Sequence, residues 1–395
     1  MRPSPSFPRR RFAPLLLGAA AVLLAGCDSM PLTPDSPRDK AKDEAAKVEY
    51  YESAALTYYD GGKYETSVQM WDRVLALQPG NQKAKWGLAK ALQMQGTLAS
   101  LGRARNILAG EPKTPGIVDL DWNHPELGDR KFEVQATLAT VYADLADYYD
   151  RDVRLGQATL AKMAEATPAD IALAKQKIAE MTAKRDELLR KSVPLWRAVL
   201  QASPDNPYAV AGLAKAHLTV GNDDLGIRFA RQYVEISRRS QELWQKKLKD
   251  WEKTAGRDVT DEQRGFFVEK VLGAREKEMK MHLLLATVHM RREEFDLAVG
   301  EYDAVIALDP AVPAAYLERA QALAAGRRYP AAVADLEQYL KITDPEKQRS
   351  ARASAAELLD RYRRIAGMTP LFGAGGGLPA KPASSEGLGA PPTGR

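Results

Sequence analysis

One cysteine, Cys27, occurs in 395 residues. No intramolecular disulfide can form, so any fold here must hold by packing. Only four histidines are present, His124, His217, His282 and His289, and none forms the His-Glu-x-x-His pattern of a helical zinc site. No Gly-x-Ser-x-Gly nucleophile elbow occurs. The glycine run Gly373–Gly377 has no strand pattern before it and no Lys-Ser/Thr after it, so it is no phosphate loop. Carboxylate pairs are plentiful, but nothing holds two of them at glycosidase spacing. No Arg/Lys run is interleaved with aromatics, which removes a nucleic-acid partner. These absences lead to the expectation that the protein is not an enzyme and uses no cofactor and no metal.

What is present is mostly helix-forming. Alanine, leucine, lysine, arginine and glutamate dominate, and β-branched residues are sparse. At the N-terminus, Arg2, Arg9, Arg10 and Arg11 lead into an apolar run from Phe12 to Leu23. That is the form of a secretory signal, too short to span a bilayer comfortably. Leu24-Ala25-Gly26-Cys27 closes it and resembles the lipobox of bacterial lipoproteins. The resemblance implies cleavage before Cys27 and lipidation of its thiol, several acyl chains being enough for stable anchoring. It also implies a place on the periplasmic face of a bacterial membrane. Asp28 slightly favours the inner membrane, and the outer one stays open. Loss of four arginines and no acids would lower the net charge from +5 to +1, so the basic balance belongs to the signal.

Beyond a Pro-containing tether the chain repeats. One segment carries Tyr51, Ala54, Ala55, Tyr58, Gly62, Tyr64, Trp71, Val74 and Pro79; a later one carries Leu285, Ala286, Phe295, Ala298, Tyr302, Val305 and Pro310 at matching offsets. Gly87-Leu88-Ala89-Lys90-Ala91 returns as Gly212-Leu213-Ala214-Lys215-Ala216 in the same phase. Small residues at these offsets let antiparallel helices approach, aromatics fill the gaps between hairpins, and prolines stand where helices stop. The pattern resembles the tetratricopeptide repeat, a 34-residue helix-turn-helix unit. Four or five units are recognisable. Ser67 stands where Ala is usual, Glu293 where the turn Gly is usual, and Arg319 where Leu is usual. After Gly96 a few extra residues are expected, to bring Ala104 into phase.

The expected fold is all-α, a solenoid of helical hairpins with long protruding hairpins and disordered termini. Its divisions are a signal peptide at 1–26, a lipidated tether at 27–40, N-terminal repeat units at 41–109 and a long loop at 110–128. An extended helical hairpin follows at 129–203. A unit with a protruding coiled-coil hairpin covers 204–292, C-terminal units cover 279–366, and a disordered Gly/Pro-rich tail covers 367–395. In the protruding hairpin, Trp244, Leu248 and Trp251 make one narrow apolar stripe and Phe267, Val271 and Ala274 another. Thr260 and Gln263 form a capping box. Thr167-Pro168 separates the helices of the other long hairpin, and Trp122 docks the 110–128 loop on the array.

In tetratricopeptide arrays the first helix of each unit lines a concave groove that receives a peptide. By position, the groove here would include Glu52, Leu56, Tyr59, Trp86, Lys90, Gln93, Met94, Tyr208, Lys215, Leu218, Thr287, Met290, Arg291, Leu317 and Gln321. Lys90 and Lys215 share one phase and either grip a partner's carboxylates or are simply solvated. Trp86 and Tyr208 are either partner anchors or packing between repeats. His217, His282 and His289 read as packed structural residues. The resulting expectation is a lipid-anchored periplasmic scaffold that binds other envelope proteins or peptide segments in assembly or secretion, with its oligomeric state open. The rival reading is an envelope glycan- or peptidoglycan-processing enzyme, with Asp121 and His124 of the 110–128 loop in its site.

Overall fold

The structure, a computed structural model, describes residues 37–111, 114–119, 127–163, 166–254 and 261–369. The signal segment with Cys27, most of the tether, Asp121, Trp122, His124, Thr260 and the tail from 370 lie outside the described residues. Among the described residues there are thirteen α-helices. They are α1 (Pro37–Asp60), α2 (Tyr64–Leu77), α3 (Gln82–Gln95), α4 (Leu98–Ala109), α5 (Lys131–Ala161), α6 (Pro168–Ala202) and α7 (Pro207–Thr219). Then follow α8 (Asp223–Thr254), α9 (Asp261–Arg291), α10 (Phe295–Leu308), α11 (Pro313–Ala325), α12 (Tyr329–Ile342) and α13 (Arg349–Ile365). Each helix packs on the next in sequence, so six hairpins stack in series and α13 closes the far end. The count exceeds the four or five units legible in the pattern because the long α5–α6 hairpin is itself a member of the stack, whereas the α8–α9 arm joins two units.

The termini of these helices are written locally. Asn81 accepts the Ala84 amide, and Asn206 accepts the amides of Tyr208 and Ala209 with Pro207 as first helical residue. Thr167 caps α6 through the Asp170 amide, with Pro168 behind it, as expected. Thr97 and Ser100 form a reciprocal capping box on α4. No insertion follows Gly96. Helices α2 and α4 open at Tyr64 and Leu98, one 34-residue period apart, so Leu101 takes the place of Ser67 and Ala104 packs one turn on.

The departures from the repeat pattern each have a structural answer. Ser67 is fully buried and donates its hydroxyl to the Ala55 carbonyl at 2.8 Å, so its polar group costs little. The turns inside hairpins use a left-handed residue: Gly62, Gly96 and Gly221 at φ 72°, 66° and 85°. Glu293 and Arg327 hold the same conformation at φ 58° and 61° without being glycine. A side chain there costs about 1 kcal/mol. Glu293→Gly is therefore expected to raise stability by about 0.5–1 kcal/mol, read as a higher urea midpoint at unchanged slope.

The 110–128 segment is not wholly irregular. Gly110–Glu111 (β1) pairs antiparallel with Thr114–Pro115 (β2), and a 3-10 turn follows at Ile117–Asp119. Ile117 and Leu127 are buried in the N-terminal core with Leu108 and Val134. That core joins α1 to α5, and a second large one joins α9 to α13. Smaller clusters bridge them around Trp196, Val210, Leu218 and Leu285.

Two arms leave the stack. Helix α5 has 31 residues and α6 has 35, against 14 for α2. Burial stops at Val153 on α5 and resumes at Leu189 on α6; Leu155 and Leu173 beyond are exposed. On α8, burial ends at Ser237, and the rest of its 32 residues project with the start of α9.

Candidate functional site

Three contacts set α3, α5 and α7 side by side. Trp86 donates its indole N–H to Thr137 at 3.1 Å, and Gln93 donates to Asp144 at 2.7 Å, joining α3 to α5. Lys215 on α7 pairs with Asp147 on α5 at 2.6 Å. The first helices α3, α5 and α7 thus lie side by side on one inner face, where several of the residues expected to line a groove are found.

That face is unevenly committed. Lys215 spends its charge on Asp147, an exposed pair worth less than about 1 kcal/mol but enough to cancel the field of the ammonium. Glu52 is held by Lys83 at 2.6 Å and Asn81 at 3.2 Å. Arg291 donates to the Leu218 carbonyl and to Asp223, tying α9 back to α7 and α8. Leu218 is buried core rather than groove. Met290 and Leu317 are half-buried against the C-terminal core. Thr287 returns its hydroxyl to Leu283, and Gln321 is exposed. Tyr208 stands 69% exposed.

Lys90 is different. Its ammonium lies 4.1 Å from the centre of a Trp86 ring and 5.9 Å from that of Tyr59, and no carboxylate among the described residues comes within ion-pair distance. Desolvation leads in lowering its pKa; Glu133 opposes it next, Arg130 adds to the lowering, and Asp60 opposes it least. Arg130, at the start of α5, stands over the same indole at 5.6 Å. Trp86 itself is 4% exposed. It is therefore packing between α3 and α5 that presents a ring to two cations, and not a free anchor. Tyr59 meets Tyr64 edge-on at 5.5 Å, and an open depression lined by Lys63, Tyr64, Met94 and Thr97 continues beyond it. Met94 is 42% exposed there. The residues expected at this end, Tyr59, Trp86, Lys90 and Met94, are thus brought together. Arg130 joins them unforeseen, because it lies at the edge of the segment read as a loop.

The three described histidines are packed, each with an Nε2 that makes no hydrogen bond. His217 is buried and stacked on Phe229 at 5.9 Å, and burial lowers its pKa. Nδ1 of His282 meets Glu301 at 2.6 Å, and Nδ1 of His289 meets Glu294 at 2.6 Å. Among the described residues no group of acids, histidines and cysteine could hold a metal, and no helix is long and apolar enough to cross a membrane.

Residues 53–100 and 283–347 match the family model of the tetratricopeptide repeat. No curated protein matches the chain. Among solved structures it is similar to the TPR2AB-domain:pHSP90 complex of yeast Sti1, at 13% identity over 82% of this chain and 100% of that one, with a TM-score of 0.21. A tetratricopeptide repeat protein from Parabacteroides merdae matches at 11% identity over 80% and 99%, with a TM-score of 0.32. Yeast Tom70 matches at 13% over 83% and 86%, with a TM-score of 0.22.

Proposed function

Taking as premise that this chain is a stack of helical hairpins carrying tetratricopeptide repeats, we propose that it is a lipid-anchored scaffold of the bacterial envelope. It is not an enzyme in this reading. It holds an acidic segment of a partner protein against the α1–α3–α5 end of its inner face. Anchoring through Cys27 on the periplasmic side, with Asp28 inclining it to the inner membrane, is supported by the signal pattern and the lipobox resemblance. A tethered groove needs only modest affinity, because the membrane supplies high local concentration.

The observation that carries the groove reading is Lys90, a half-buried ammonium on two aromatic rings with no carboxylate among the described residues within ion-pair distance. A cation taken partly out of water has lost hydration that a partner's carboxylate restores. Trp86 cannot move away, since its indole N–H is fixed to Thr137. Arg130 doubles the charge on the same ring. Elsewhere the inner face has already satisfied its charges internally, so the same phase at Lys215 offers far less.

The test is retrieval of partners from envelope extract with wild type, Lys90→Glu and Lys215→Glu, quantified by mass spectrometry. Lys90→Glu is expected to weaken capture of the specific partner by about tenfold or more, and Lys215→Glu to change it far less. An identical partner set with Lys90→Glu would remove the groove reading. Anchoring is checked separately: the N-terminal peptide of the membrane-bound protein should begin at an acylated Cys27.

A further inference from the structure

The flank of the α8–α9 arm carries charge and apolar surface left exposed among the described residues. The arm has its own seam. Trp251 and Phe267 have ring centres 5.6 Å apart, and Trp244 lies 6.2 Å from Phe267. Phe266, one residue off that seam, is 50% exposed and meets Trp244 edge-on at 6.0 Å. Leu243, beside Trp244, is also 50% exposed.

Helical spacing extends this side along both helices. On α8, Lys247 and Asp250 follow Leu243 by four and seven residues, so one carboxylate shares this side with the lysines. On α9, Lys270, Gly273 and Lys277 follow Phe266 by four, seven and eleven. The Trp244–Phe266 contact places the two rows on the same side of the arm. The Lys247 ammonium lies 4.5 Å from the Trp244 ring centre, and that of Lys270 lies 5.2 Å from Phe266. Neither these two nor Lys277 has a carboxylate within ion-pair distance among the described residues, whereas the opposite flank pairs Arg264 with Glu252 at 3.0 Å. Glu262 and Glu269 fall further round toward the back of α9. A methyl built on Gly273 would meet nothing within 4 Å, so the valley is open at its middle.

We propose that this flank receives an acidic amphipathic helix of a partner protein, laid along the valley as the third helix of a bundle. The apolar centre, Leu243 and Phe266, takes the partner's aliphatic stripe, and the three lysines take the carboxylates beside it. From Phe266 to Lys277 the valley runs about 16 Å, roughly three helical turns, which suits a helix. A second copy of this flank would set lysine against lysine. The surface stands apart from Lys90, so it does not rest on the groove reading.

The probes are two synthetic four-heptad helical peptides, both with leucine at the seam positions, one flanked by glutamates and the other by lysines. Binding to the full chain is measured by fluorescence anisotropy. The glutamate peptide is expected to bind. Lys247→Glu with Lys270→Glu, both at exposed positions, is expected to weaken it by about tenfold or more and to transfer binding to the lysine peptide. Lys90→Glu should leave both peptides unchanged. The proposal is overturned if wild type binds neither peptide, if it binds both alike, or if Lys90→Glu abolishes binding. It is equally overturned if phosphatidylglycerol vesicles retain the chain through these lysines while the glutamate peptide does not bind.

Discussion

Replacing Gly87 by leucine is expected to remove about 3 kcal/mol from the N-terminal hairpins. A Cβ built on Gly87 would lie 2.5 Å from the six-membered ring of Trp71, a side chain only 2% exposed. The ring comes from the second helix of one hairpin and the glycine from the first helix of the next, so this contact sets how closely the two hairpins stack. The same pair recurs further along, where a Cβ on Gly212 would lie 2.4 Å from the Trp196 ring. Neither ring can retreat through a packed core without opening voids elsewhere. Gly87→Ala should act in the same direction with a smaller effect. Shrinking the ring with Trp71→Leu should make the double variant with Gly87→Leu cost less than the sum of the two single ones. Because a stacked array need not unfold in one step, the readout is segment-resolved hydrogen exchange beside thermal denaturation. A Gly87→Leu protein protected as well as wild type across α2 and α3 would mean that this contact does not control the stacking.

The second large effect is expected at Asp335. Arg319 occupies a position where the repeat pattern usually has leucine, and its guanidinium forks onto Asp335 at 2.6 and 2.8 Å while also donating to Asp303. The Asp335 side chain is only 8% exposed and that of Arg319 20%. The Asp335 hydrogen bond leads in raising the arginine's pKa, so it stays charged at any working pH. Asp335→Ala removes the buried half of this pairing, leaves Arg319 only the exposed Asp303, and should cost about 2 kcal/mol. Replacing both residues by leucine should return stability to within about 1 kcal/mol of wild type, since a buried ion pair often gives no net gain over apolar packing. Urea unfolding of the three proteins decides it. A double variant as unstable as Asp335→Ala would show that the pair contributes more than mutual neutralisation.

Much of this architecture was legible at the level of single positions. Ala55 and Ala298 had to be small and are fully buried; Trp71 and Tyr302 had to fill gaps and do. Those requirements are local to a hairpin, and a 34-residue period exposes them. The membership of α5 and α6 in the stack was hidden, because their extensions replace the short glycine turn that marks a unit. The state of the inner face was hidden too. Whether Lys90 or Lys215 keeps a free charge depends on Asp147, 68 residues before Lys215 and on a different hairpin. Hydrophobic spacing says which side of a helix is covered; it does not say which charged residue the neighbouring helix brings alongside. Tyr59, Trp86, Lys90 and Met94 could be chosen from their phase, whereas the place of Arg130 and the burial of Leu218 follow only from how neighbouring helices pack.

The two arms differ in where they interrupt the stack. In an antiparallel series, odd-numbered helices run one way and even-numbered ones the other. The α5–α6 arm grows from the end of an odd helix, and the α8–α9 arm from the end of an even one, so they leave by opposite edges. The stack therefore presents an arm at each of two opposite edges, with its inner face lying between them.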